Sequence, residues 1–260
     1  MTRGDDVNKP IFSVAELGFY PFVDVRWAFD ELWSAIISRA EWLPARLQWS
    51  GNPQELWLSD DLALSQTCGW PLITRLTDKV RVVGAFRHTT PESAAHHYRS
   101  VILGRTDGTP FDFQGSIAAV NNFESLSGWI SLKAAIHGPQ ETWRGEIRIT
   151  GSHLESVRML HHGEADVTSI DSVTLAHLKR TSPNLISSLF TICNGPIVPC
   201  LPLITHRSIN DTQLDELRNA LKEATRDTSI AGATEALFIN GFDELELDDY
   251  LPLRNLSIID

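Results

Sequence analysis

The chain has 260 residues, 42% of them hydrophobic and 21% charged, which suits a large folded core and excludes an intrinsically disordered chain. Twenty-two Lys and Arg against 33 Asp and Glu give a net charge of −11. That field repels a phosphate backbone, so no nucleic-acid partner is expected. Apolar runs such as Ile197-Val198 and Leu201 to Ile204 fall far short of the roughly 20 residues of a membrane span.

The opening residues MTRGDDVNKPIFSV carry acids and a proline where an export signal has basic residues and an apolar stretch. A cytoplasmic location is the expectation if the chain is full length. Cys68, Cys193 and Cys200 cannot all pair and show no CxxC spacing, so neither a disulfide framework nor a zinc clip is expected.

In chain order, residues 1–9 read as a flexible N-terminus and Ser13–Gly18 as a strand. A helix follows over about Asp24–Ala40, where Val25, Ala28, Phe29, Leu32, Trp33, Ile36, Ile37 and Ala40 form one apolar face. Arg46–Trp49 and Leu62–Ser65 read as short strands and Gly69–Leu76 as a short helix. Val80–Phe86 is a strand without alternation, hence buried on both sides. Thr89–His97 carries turn residues and connects.

A second series begins with strands at Tyr98–Gly104 and Ile117–Val120 and a helix spanning Trp129–Ile136. Glu146–Ile149 is a strand, Leu154–His162 a helix stopped by Gly163, and Ala165–Ile170 a further strand. Asp171–Lys179 is helical and Ile186–Ile192 extended. Gly195-Pro-Ile-Val-Pro-Cys-Leu-Pro has too many prolines for a central strand and reads as a stiff passage. Beyond it, Asn210 with Gln213 resembles a capping box ahead of a helix with Leu214, Leu217, Leu221 and Ala224 on one face.

Strands and helices in alternation, interrupted by two connectors, give an α/β chain of two lobes. Residues 10–88 with 205–260 are expected to form the first lobe and 95–200 the second, joined at 89–94 and 201–204. A ligand cleft between the lobes follows from that topology.

Two strand-to-helix turns carry hydroxyl residues: Val120-Asn-Asn-Phe-Glu-Ser-Leu-Ser-Gly-Trp and Ile149-Thr-Gly-Ser-His-Leu-Glu. Helix starts offer free N–H groups and the positive end of the dipole, which suits an anion. Ser125, Ser127 and Gly128 are the candidates at the first turn, Ser152 and His153 at the second. The plainer reading is that these serines only cap helices.

The run Gly115-Ser-Ile-Ala-Ala-Val-Asn-Asn-Phe-Glu-Ser-Leu-Ser-Gly-Trp, then Gly151-Ser-His-Leu-Glu-Ser-Val-Arg and Gly163-Glu-Ala-Asp-Val-Thr-Ser-Ile-Asp, resembles the phosphate/phosphite/phosphonate-binding components of ABC importers. Asp61-Leu-Ala-Leu-Ser-Gln-Thr-Cys-Gly-Trp-Pro-Leu resembles the matching element of their first lobe, and the similarity runs from about Tyr20 to Thr205. The resemblance implies a bilobed type II periplasmic binding protein fold, with two mostly parallel sheets flanked by helices and a two-stranded hinge. It implies a non-enzymatic monomer that closes on a small anionic ligand, needs no cofactor, and can serve an ABC permease. The family is normally exported.

By the same resemblance the family's S-T-S-G turn corresponds to Ser125, Leu126, Ser127 and Gly128, and its ligand-contacting histidine to His153. Leu126 departs from that pattern: one hydroxyl donor is gone, which opens the site to a different oxyanion or a carboxylate. Asp171 corresponds to an acid that can meet a ligand ammonium, or is a helix N-cap. Tyr20, Gln66 and Thr67 are the first-lobe candidates, with Tyr20 equally suited to packing on Pro21 and Trp70.

Rival readings are an enzyme on the same fold, seeded by Cys68 or His153, and a cytoplasmic ligand sensor. No G-x-S-x-G, GxxxxGK[ST] or GxGxxG motif is present, and the doublets His96-His97 and His161-His162 lack metal-ligand spacing.

Overall fold

The computed structural model describes residues 12–49, 52–138 and 141–256; the expected flexible segment 1–9 lies outside them. Strand β1 (Val14–Glu16) leads to helix α1 (Arg26–Ile37). Strand β2 (Leu62–Gln66) leads to the short helix Gly69–Pro71 and the π-helical turn Leu72–Leu76. Strand β3 (Val80–His88) then hands the chain to a second lobe, which opens with β4 (His97–Gly104) and β5 (Ala118–Val120).

After β5 come the π-helical turn Leu126–Ile130, helix α2 (Ser131–Ile136), β6 (Ile147–Ile149), α3 (His153–His161), β7 (Val167–Asp171), α4 (Ser172–Thr181) and β8 (Phe190–Pro199). The chain returns to the first lobe with β9 (Pro202–His206), α5 (Asp211–Ala224), α6 (Ala231–Ala236) and β10 (Ile239–Asp243).

The first sheet has the order β1-β2-β9-β3-β10 and the second β6-β5-β7-β4-β8. Both are mixed, which corrects the expectation of mostly parallel sheets. β1 and β2 are parallel, while β9 runs antiparallel to β2 and β3, and β10 antiparallel to β3. In the second sheet β5 is parallel to β6 and β7, and β4 antiparallel to β7 and β8. The double crossing is the cause: a chain that leaves along β3 and returns along β9 lays these strands side by side in opposite directions.

The two crossings touch. The Cys200 N–H donates to the His96 carbonyl at 2.8 Å, and His97 pairs with Pro199 in β4–β8. Residues 202–204, expected in a connector, instead belong to β9, which lies in the middle of its sheet. Pro202 is tolerated there because it is the first residue of the strand, and β8, with Pro196 and Pro199, lies at a sheet edge.

Two other local expectations fail. Arg46–Trp49 forms no strand, although the Gln48 N–H donates to the Ala15 carbonyl at 2.7 Å beside β1. Of the segment Ile186–Ile192, expected to be extended, Ile186 ends the helical turn Pro183–Ile186, which has proline at its start, and the strand begins only at Phe190.

Apolar faces build the cores as the periodicities predict. The α1 face, with Ala28, Phe29, Leu32 and Ile36, packs on Leu214, Leu217 and Leu221 of α5 over one side of the first sheet. The opposite side is covered by Leu72, Ile73, Leu76, Tyr250 and Leu253. In β4, Val101 and Leu103 face α3 and α4, whereas Ile102 faces α2, the period-two alternation of a sheet buried on both sides.

Arg218 of α5 is buried at the first sheet. It donates to the carbonyls of Val83 at 3.0 Å and Val82 at 3.2 Å, and pairs with Glu246 at 2.6 Å. The β3–β9 register shifts between Val82 and Gly84, and Arg218 supplies donors at that irregularity.

Beside the hinge, α4 of the second lobe docks on the first. His177 stacks on Phe22 at 4.8 Å between ring centroids and meets Phe238 edge-on at 5.0 Å. Arg180 lies over Phe238 and donates to the Ala236 carbonyl at 2.6 Å. His88 and Tyr20 complete this joint.

Burial lowers His88 to about 4 despite the favourable Phe238 carbonyl and Asp171 carboxylate. Burial, with Arg180 and His88 adding to it, lowers His177 to about 4 as well. Both rings are therefore neutral in the fold but charge near pH 6.5 once unfolded. Their contribution is complete above about pH 6.5 and is lost as pH falls toward 4, on the order of 3 kcal/mol for each ring. Denaturant unfolding at stepped pH checks this, and His177→Phe should flatten the acid limb relative to the parent chain.

Candidate functional site

A cleft of about 430 Å³ lies between the lobes. Its second-lobe wall is made by the turns after β5 and β6: Asn121, Asn122, Glu124, Ser125 and Ser127 from one, Gly151, Ser152, His153 and Leu154 from the other. Thr174 of α4 also lines it. The first-lobe wall comprises Glu16, Gly18, Phe19, Pro21, Phe22, Arg26, Trp49, Asn52, Gln54, Trp57, Cys68 and Pro71. The two hydroxyl-bearing turns thus face one space.

The serine turn is a real helix start. Ser125 is extended, and its Oγ accepts from the Gly128 N–H at 2.9 Å, while the N–H groups of Trp129 and Ile130 both bond the Ser125 carbonyl. This widens the first turn into a π-helix, a geometry common at functional sites. Gly128 is required by close approach: a Cβ there would lie 1.9 Å from Asn121 Oδ1. At the second turn Ser152 caps α3 by accepting from the Glu155 N–H at 3.1 Å.

Behind these turns is a buried polar network. Ser127 Oγ lies 2.8 Å from His153 Nε2, and Asp171 Oδ2 lies 3.5 Å from the same nitrogen. Burial pushes the imidazole below its usual pKa, partly opposed by Asp171. His153 Nδ1 is buried with no partner. Asp171 caps α4, accepting from both the N–H and the hydroxyl of Thr174. The Tyr20 phenol is held well above its usual pKa by burial and then by the Asp171 carboxylate.

Ser125, Ser127, Ser152 and His153 therefore line the cleft together, with Gly128 shaping the turn and Asp171 and Tyr20 standing behind His153. Gln66 and Thr67 are not on the wall. Both are buried at the end of β2, where the Gln66 carbonyl accepts from the Trp57 indole at 2.9 Å and the Thr67 N–H bonds Pro202. Their side of the cleft is formed by Glu16, Trp49 and Trp57 instead. Glu16 had a sequence signal: it is an acid inside the apolar stretch Val14-Ala15-Glu16-Leu17. Trp49 was missed because the Arg46–Trp49 alternation read as a strand that does not form, and Trp57 because it ends a helical turn of only four residues, Pro53–Leu56.

Leu126, where the turn departs from the resemblance, points out of the cleft. Its side chain is buried in the first-lobe cluster of Cys68, Trp70, Tyr250 and Leu253. Its N–H donates to Cys68 Sγ at 3.3 Å. Nearby, Arg75 of the first lobe pairs with Glu124 of the second at 2.7 Å. Cys68 itself is buried, and burial raises its thiol pKa, the opposite of a reactive cysteine.

A family model described as "ABC transporter, phosphonate, periplasmic substrate-binding protein" matches residues 61–250. The chain belongs to this family. Solved structures share the fold of these phosphonate-type binding proteins across nearly the whole chain. PhnD1 from Prochlorococcus marinus, in complex with methylphosphonate, aligns with a TM-score of 0.75 at 12% identity, covering 96% of this chain and 97% of that one. A binding-protein component of an ABC phosphonate transporter from Pseudomonas aeruginosa aligns at 0.71 and 14%, covering 96% and 86%. XAC2383 from Xanthomonas citri, bound to chloride, aligns at 0.71 and 13%, covering 95% and 96%. No curated protein sequence matches it. These comparisons identify a type II periplasmic binding protein fold built on two mixed sheets flanked by helices.

No described helix is long and apolar enough to cross a membrane, and the described residues contain no cluster of three or more potential metal ligands.

Proposed function

We propose that this chain binds a phosphonate-type oxyanion at the turns Ser125–Gly128 and Ser152–His153 and delivers it, as a monomer, to an ABC permease. One observation carries the reading: two hydroxyl-bearing helix starts from separate β-α units of one lobe line the same interlobe cleft. The hydroxyls and helix dipoles of these turns favour an anion without a lysine or arginine on that wall, the N–H groups of Leu126, Gly128, Trp129 and Ile130 being already bonded within the protein. His153, neutral at physiological pH, contributes a hydrogen bond rather than a charge.

The geometry favours binding over catalysis. In a serine nucleophile arrangement the hydroxyl and the orienting carboxylate sit on opposite imidazole nitrogens. Here Ser127 and Asp171 both approach Nε2 of His153, so the ring cannot pass a proton from one to the other. The buried thiol of Cys68 offers no alternative nucleophile.

Isothermal titration with methylphosphonate, ethylphosphonate, phosphate and sulfate tests the reading. Ser127→Ala should weaken binding of the preferred oxyanion by about 1.5–3 kcal/mol, roughly 10- to 150-fold, the range for a hydrogen bond to a charged partner. An unaltered dissociation constant removes Ser127 from the site, and no binding of any oxyanion by the parent chain overturns the proposal.

A further inference from the structure

The two walls of the cleft differ in chemistry. Among the described lining residues, the buried polar atoms that lack a partner are Asn121 Oδ1 and His153 Nδ1, and both belong to the second-lobe wall. The first-lobe wall is built of rings, Phe19, Phe22, Trp49 and Trp57, together with Pro21 and Pro71. Its polar members Arg26, Asn52 and Gln54 are exposed to solvent. Glu16 is buried, but it is already engaged within the chain. One wall therefore offers hydrogen bonds and the other offers apolar surface.

Each ring is held by neighbours in its own chain. Phe22 stacks on His177 at 4.8 Å between centroids, and Phe19 meets Tyr20 edge-on at 6.1 Å. Trp49 meets Phe29 edge-on at 6.0 Å and carries the Arg26 guanidinium 5.0 Å from its centroid. The Trp57 indole N–H donates to the Gln66 carbonyl at 2.9 Å. Gly18 lets Trp49 close in, since a Cβ there would meet the ring at 3.2 Å. Rings fixed in this way lose little freedom when a ligand packs on them.

Charge selects against a polar substituent. A second anionic group would face the carboxylates of Glu16 and Glu124. A cationic group would find Glu16 engaged, Glu124 bridged to Arg75 and a guanidinium already over Trp49. An uncharged apolar group meets neither penalty, and its burial removes apolar surface of both partners from water. The cleft, at about 430 Å³, falls in the range that encloses ligands well beyond a one-carbon phosphonate.

We propose that the ligand is an arylalkyl phosphonate, with its phosphonate on the serine turns of the second lobe and its uncharged ring against Phe19, Trp49 and Trp57 of the first. This rests on the oxyanion reading above and adds the substituent to it. A ring is favoured over an aliphatic group because aromatic pairs gain more than the area they bury.

Titration of the full chain with four probes tests the assignment: 2-phenylethylphosphonate, its saturated counterpart 2-cyclohexylethylphosphonate, methylphosphonate and 2-aminoethylphosphonate. The parent chain should bind the phenylethyl probe at least about tenfold more tightly than methylphosphonate, and about 2- to 12-fold more tightly than the cyclohexyl probe. Trp49→Leu and Phe19→Leu should each lower the phenylethyl-over-methyl ratio by about threefold or more. That ratio is taken within one protein, so a loss of folded material cancels, and the comparison on the parent chain stands if neither variant folds. Equal affinity of the parent chain for the phenylethyl and methyl probes overturns the substituent assignment alone. Binding of the cyclohexyl probe as tight as the phenylethyl overturns the aryl class, and tighter binding of the amine overturns the uncharged one. A ratio that neither substitution moves overturns the placement of the ring on this wall. Failure to bind any phosphonate overturns the oxyanion reading and this one with it.

Discussion

Replacing Leu126 by alanine is expected to cost about 2–5 kcal/mol, the range for truncating a buried leucine, and the loss should fall on the contact between lobes. Leu126 belongs by sequence to the second-lobe serine turn, but its side chain is 1% exposed within the first-lobe cluster. Truncation removes that contact while leaving every cleft-lining residue unsubstituted, Cys68 being the one that Leu126 packs against. Denaturant unfolding reads the total cost, and small-angle scattering of the ligand-free chain reads opening as an increased radius of gyration. Unaltered values for both would show that the leucine does not fasten the lobes. Leu126→Thr should behave similarly, because its hydroxyl would be buried among apolar side chains rather than offered to a ligand.

Arg218→Met should destabilise the chain by about 3–5 kcal/mol. Methionine keeps the apolar stem of the arginine but leaves the buried carbonyls of Val82 and Val83 without its donors and Glu246 without its partner. Arg218→Lys should recover part of the loss, since one ammonium cannot reproduce the forked donors of a guanidinium. Urea unfolding of the three chains checks the order. Because Arg218 lies behind the first sheet, ligand affinity measured well below the unfolding midpoint should stay at the parent value.

Much of the architecture was legible because it is written in local patterns. The α1 stripe, the unalternating Val80–Phe86 strand, the Asn210 cap and the Gly163 stop, which adopts φ +75°, depend on neighbours close in sequence. What escaped depends on pairing between distant segments. Mixed sheets arise from the return of β9 between β2 and β3, and no periodicity within Pro202–His206 reports which strands will flank it. At the cleft, the serine turns were visible as hydroxyls ahead of helices. Gln66 and Thr67 were misplaced because the resemblance gives a segment rather than a facing, and β2 buries its last residues against Trp57 and Pro202. Trp49 and Trp57 reach the wall from a segment whose alternation forms no strand and from the end of a four-residue turn, neither of which signals direction. Leu126 read as a lost donor, whereas its position makes it a packing residue of the opposite lobe.

The unequal division of the chain bears on the order in which the protein can assemble during synthesis. The second lobe draws all its strands from one uninterrupted stretch, from His97 to Pro199. The first lobe must wait, since β2 and β3 are not neighbours and β9, which joins them, comes after that whole stretch. A ribosome therefore releases a segment able to complete its own sheet while the earlier strands still lack their central partner. Until Pro202–His206 emerges, the apolar edges of β2 and β3 are open to wrong pairing, and that interval is where a chaperone has most to protect.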